Sequence, residues 1–95
     1  MIEIENNKYE LIENYRDCFD LEEFREKYTE YFKDYDYIVG DIAYSKLRLK
    51  GFCDKKNKLY NKINDIENLS NYIKQNCAYD CKYFVLKRKN VWYWI

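Results

Sequence analysis

The sequence predicts an α+β fold: one small domain with a mostly antiparallel sheet of about five to six strands and two helices. Three observations lead there. Short stretches alternate apolar and polar residues with the period of a strand. Two others place apolar residues at helical spacing behind an N-capping side chain. The third is length, since 95 residues supply one modest core and no second one, so residues 1–95 are taken as a single domain.

The elements follow in order. "IEI" and "KYELIE" flank Asn6 and Asn7 and predict a hairpin whose Asn-Asn turn tolerates left-handed backbone. "DLEEFREKYTEYFKDY" predicts the first helix, with Asp20 as N-cap and Glu23 completing a capping box. Leu21, Phe24, Tyr28, Tyr31, Phe32 and Tyr35 form its aromatic stripe, and Glu22, Glu26 and Glu30 make the other face acidic. "YDYIVGDIAY" predicts a buried strand from β-branched Ile38, Val39 and Ile42. "KLRLKGFC" alternates strictly, so Leu47, Leu49 and Gly51 face one way and Lys46, Arg48 and Lys50 the other. A hairpin around Tyr44 and Ser45 joins the two. "DKKNK" then predicts a turn, "LYNKI" a third strand of that meander, and Asn64 with Glu67 a second capping box. The helix behind it buries Ile66, Leu69, Tyr72, Ile73 and Cys77. "KYFVLKRK" is the last strand, followed by the aromatic end "NVWYWI".

Composition shapes the core and limits the function. The 12 Tyr, 5 Phe and 2 Trp mean that tyrosine builds much of the interior, with many rings half buried and their hydroxyls in water. No Pro and 2 Gly imply short elements closely joined. No run approaches the roughly 18 apolar residues of a membrane span. The opening "MIEIENNKYE" lacks the basic and apolar parts of a signal peptide, so a cytoplasmic chain with reduced thiols is expected. Net charge is zero, but residues 1–45 carry 13 acidic against 5 basic side chains and residues 46–95 carry 4 against 12. That asymmetry yields either an acidic and a basic face or two halves that interleave and neutralise each other.

The segments "YDYIVGDIAYSKLRLKGF" and "CAYDCKYFVLKR", in that order, resemble the YutD-like family of small proteins from Firmicutes and relatives. The similarity runs from "YELIENYRDCFD" to Arg88. The family pattern has an aromatic-glycine pair where this chain has Ile42 and Ala43, and it lacks cysteines matching Cys18 and Cys53. The resemblance implies a cytoplasmic bacterial protein with a role in transcriptional regulation, and it supplies no catalytic residues to carry over.

Chemistry-bearing constellations are few. The chain has no histidine, the commonest general base, and no Gly-rich phosphate loop, so an enzyme is not expected. Asp36 and Asp41 lie five residues apart at opposite faces of a strand; Asp41 is expected to accept backbone or tyrosine hydrogen bonds. Cys18, Cys53, Cys77 and Cys81 could together ligate zinc, but small buried thiols are the stronger expectation, and no cofactor is assigned. The leading candidate is the cationic strand. Lys46, Arg48 and Lys50 would stand about 7 Å apart, close to successive phosphates on a nucleic-acid strand. Lys55, Lys56 and Lys58 in the turn and Lys87, Arg88 and Lys89 on the last strand extend the patch, with Tyr44 and Tyr83 available to stack on bases. The plainer account is the wet face of an antiparallel strand. RNA or DNA is thus the first expected partner. The alternative is a protein docked on the acidic first helix or on Val91–Ile95, and pairing of a sheet edge with a second copy is open.

Overall fold

A computed structural model describes residues 2–43, 45–76 and 82–89. Five strands form one antiparallel sheet: β1 (Ile2–Ile4), β2 (Asn7–Tyr15), β3 (Tyr37–Ala43), β4 (Lys46–Phe52) and β5 (Lys82–Lys89), in the order β1-β2-β5-β3-β4. Helices α1 (Leu21–Lys27) and α2 (Leu69–Asn76) cover opposite faces. The α+β architecture is the one that the alternation and capping signals predict.

Local chemistry explains both the elements and the departures from expectation. The first hairpin turns at Glu5 and Asn6, which hold φ 47° and 69°, one residue earlier than the Asn-Asn turn expected. Ile4 pairs with Asn7, so Asn7 opens β2 instead of occupying the turn. Asp20 caps α1 as predicted, accepting from the backbone N–H of Glu22 and Glu23. The helix ends at Lys27, not near Tyr35. Tyr28 and Thr29 are extended, and a separate 3-10 turn spans Glu30–Phe32. Breaking there lets Tyr28 and Phe32 enter the same core, where they are 6% and 8% exposed, while Tyr31 turns out to solvent at 64%.

"LYNKI" is not a strand. It leads into two 3-10 turns, Lys62–Asn64 and Ile66–Asn68, because asparagine side chains satisfy the backbone more locally than a ladder would. The capping box is Asn61 with Asn64 rather than Asn64 with Glu67. The only ladder contact along this stretch among the described residues is an isolated parallel bridge between Cys53 and Asp65.

The face under α1 holds the larger core, built by Ile4, Tyr9, Phe24, Tyr28, Phe32, Ile38, Leu47, Phe84 and Leu86. Tyr9 departs from the half-buried pattern: it is fully buried and its hydroxyl lies 3.0 Å from that of Tyr28. Burial pushes its phenol far up from the ordinary value. Gly40 lies under Phe84, where any Cβ would overlap the ring. The other face is smaller: Val39, Phe52 and Val85, with Ile66, Leu69, Tyr72 and Ile73 packed against them.

Candidate functional site

Strand alternation places Lys46, Arg48 and Lys50 on one face, as the sequence predicts, and that face, shared with Phe52, is the α2 side of the sheet. The surroundings of that row differ from an open cationic strip. Opposite Arg48 on β3 stands Asp41, 1% exposed, whose Oδ1 accepts from the Arg48 Nε at 2.8 Å. Its Oδ2 accepts from the Tyr72 hydroxyl of α2 at 3.2 Å. Asp41 thus takes the tyrosine bond expected of it, but from within a strand rather than at its end. Burial, and then the Asp41 charge, push the Tyr72 phenol up to about 12.

Lys50 belongs to the same cluster. Its ammonium lies 5.8 Å from the Phe52 ring centre and 5.7 Å from that of Tyr72, and the two rings meet edge to face at 5.3 Å. A carboxylate, a guanidinium, an ammonium and two rings therefore fasten α2 to β3 and β4. Lys46, near the hairpin, is exposed.

The remaining residues of the basic patch are divided by the fold. Lys87 and Arg88 are adjacent and so point to opposite faces. Arg88 joins the α1 side: its Nη1 donates to the Lys33 carbonyl and its Nη2 lies 3.4 Å from Asp36 Oδ1. Asp36 also accepts from the Asp54 N–H at 3.0 Å and from Asn57 Nδ2 at 3.1 Å, tying the end of β5 to the segment after β4. Lys87 is exposed on the α2 side, and Lys89 pairs with Glu10 at 2.8 Å, holding that carboxyl below its usual range. Lys55 lies 3.6 Å from Glu67, and Lys56 is exposed. Tyr83 stacks on Tyr15 at 5.4 Å and donates to Glu13 Oε2 at 2.6 Å; that bond is the main reason its phenol is pushed up to about 12. Tyr44, Cys77, Cys81 and Val91–Ile95 lie outside the described residues.

These contacts show what becomes of the charge asymmetry. Arg48–Asp41, Arg88–Asp36 and Lys89–Glu10 each join the basic half of the sequence to the acidic half. The halves interleave because β5 lies between β2 and β3 and because the β3–β4 hairpin straddles their boundary. Cys18 packs against the α1-side core and Cys53 is fully buried; burial pushes both thiols up, away from the nucleophilic thiolate. Among the described residues no group of His, Cys, Asp and Glu is arranged to hold a metal, and no helix is long and apolar enough to cross a membrane.

Sequence reasoning found the turn at residues 54–58 but missed the segment from Leu59 to Asp65, where Leu59 and Ile63 are exposed and Asn64 is buried. The signal was present in Asn57, Asn61 and Asn64, whose short amides favour local turns.

Fold and side chains together define a small α+β domain that spends its buried polar groups on internal ties. The chain belongs to the YutD-like family: the family description "Putative antitoxin YutD-like" matches residues 3–87. It is 46% identical over 88 residues to a protein of Bacillus subtilis (strain 168) named "Putative antitoxin YutD", covering 93% of this chain and 97% of that relative. The solution NMR structure of YutD from B. subtilis has the same fold, with a TM-score of 0.79 at 44% identity over 95% of this chain and 82% of that one.

Proposed function

We propose that this protein is a non-catalytic regulatory binding protein and that its partner is another protein. The observation that carries the reading is that both arginines of the candidate basic patch are matched within the chain. Arg48 and Arg88 are bonded to carboxylates of their own chain, and Lys50 sits over two rings, whereas Tyr31 and Ile63 stand in solvent at 64% and 73%. A polyanion site works the other way, presenting unmatched cations in a row. The description of the relatives as antitoxins also names a regulatory role rather than a reaction. Cytoplasmic action fits the same picture.

Two measurements test it. The chain recovered from its native cells after nuclease treatment should carry a protein in stoichiometric amount. Labelled RNA and duplex DNA should show no saturable anisotropy change from about 50 to 200 mM salt. Micromolar or tighter binding with a steep salt slope, removed by reversing Lys46, Arg48 and Lys50 to Glu, would overturn the reading in favour of nucleic acid.

A further inference from the structure

The segment between β4 and α2 inverts the usual order of burial. Asn64 is 6% exposed while its neighbour Ile63 is 73% exposed and Leu59 37%. Its polar side chains are turned inward onto the backbone. Asn57 Oδ1 accepts from the Leu59 N–H at 2.8 Å, and Asn61 Oδ1 accepts from the N–H groups of Ile63 at 2.8 Å and Asn64 at 3.1 Å. Asn64 Oδ1 accepts from the Asn61 N–H at 2.9 Å, and its Nδ2 donates to the Leu59 carbonyl at 3.0 Å. The Tyr60 hydroxyl donates to Asp65 at 2.8 Å, and Asn57 Nδ2 anchors the loop to the Asp34 carbonyl at 2.9 Å. A loop so tied loses little conformational freedom when something binds to it.

Charge states what that something is. Lys56, Lys58 and Lys62 are close in sequence to Leu59 and Ile63, are exposed, and make no ion pair among the described residues, while Lys55 lies near Glu67. The loop's two carboxylates keep their charge while bonded locally, Asp54 to the Lys56 N–H and Asp65 to Tyr60 and the Glu67 N–H, so residues 54–65 carry four lysines against two aspartates. We propose that this loop is the docking surface for an acidic protein partner, whose apolar side chain seats against Leu59 and Ile63 and whose carboxylates meet Lys56, Lys58 and Lys62. The proposal rests on the protein-partner reading above. Nucleic acid fits less well, because bases stack on aromatic rings and the exposed anchors here are aliphatic. A symmetric pairing with a second copy would set each lysine cluster against its twin.

The test is photo-crosslinking in native cells with benzoylphenylalanine placed in turn at Ile63, at Glu22 on α1 and at Lys87 on β5. The Ile63 reporter should give a protease-sensitive, nuclease-resistant adduct whose partner fragment, mapped by mass spectrometry, is acidic. The Lys58→Glu/Lys62→Glu double variant should reduce it at least tenfold with an unchanged thermal melt. An adduct unaffected by that variant, a neutral or basic fragment, or protein adducts only from Glu22 or Lys87 overturn the surface and leave the protein-partner reading standing. Nuclease-sensitive or lipid adducts from Ile63, or none from any reporter, overturn both.

Discussion

The two faces of the sheet are held by different physics. Under α1, Tyr9, Phe24, Ile38, Phe84 and Leu86 are sealed from water, and Phe24 meets Phe84 and Tyr9 edge to face. Under α2 only Val39, Phe52 and Val85 are fully buried apolar residues among the described ones, and a carboxylate is sealed in beside them. The first face is stabilised by shape and area, which no single contact dominates. The second depends on a few directional contacts converging on Asp41 and Tyr72. Damage to the first should lower global stability, whereas damage to the second should loosen one helix.

That contrast can be broken most forcefully at Phe84. Phe84→Ala empties the space over Gly40 and between Phe19 and Phe24, and should cost about 4 kcal/mol in urea or thermal unfolding. A loss under about 1 kcal/mol would mean that the α1 face is not the principal core. Arg48→Met comes next. It strips the guanidinium from buried Asp41 and should cost about 2 kcal/mol, less than for a fully buried pair because Arg48 is 49% exposed on its side chain. Hydrogen exchange should then rise in α2 before the sheet; equal rises in α1 and α2 would erase the distinction between the faces.

The smallest effect is alkaline. The folded-state phenol of Tyr72 is raised from 10.0 to about 12, so its contribution is fully present below pH 10 and is lost as pH climbs toward 12. Tyr72→Phe should therefore be slightly less stable at neutral pH and show a shallower decline over that window. Because Tyr35 and Tyr83 are raised in the same direction, the decline should flatten without vanishing. An unchanged slope would place the Tyr72 hydroxyl outside the forces that hold α2.

Much of this was legible in the sequence. Period-2 alternation fixed which way Lys46, Arg48 and Lys50 face, and the Asp20 cap marked the start of α1, because both depend on neighbours a few residues away. The end of α1 was not legible. The stripe continues to Tyr35, and only the tertiary environment of Tyr28, bonded to Tyr9 across the core, interrupts it. The joining of Arg88 with Asp36 and of Lys89 with Glu10 was equally hidden, since it follows from β5 inserting between β2 and β3, whereas Arg48 meets Asp41 across the β3–β4 hairpin, a local pairing. The loop near Ile63 was misassigned because alternation between Leu59 and Ile63 mimics a strand when the asparagines are discounted.

The position of β5 also governs how the chain is made. Residues 82–89 lie at the centre of the sheet, between two hairpins completed long before them in synthesis. Until they emerge from the ribosome, each hairpin is an isolated pair of strands, and such pairs are marginal in water. Folding must therefore wait until residues 82–89 are available and then proceed through distant contacts, which are slow to form. A chain interrupted upstream of Lys82 would present two unjoined hairpins to the cell's proteases, so only a copy that carries β5 becomes a protein that persists.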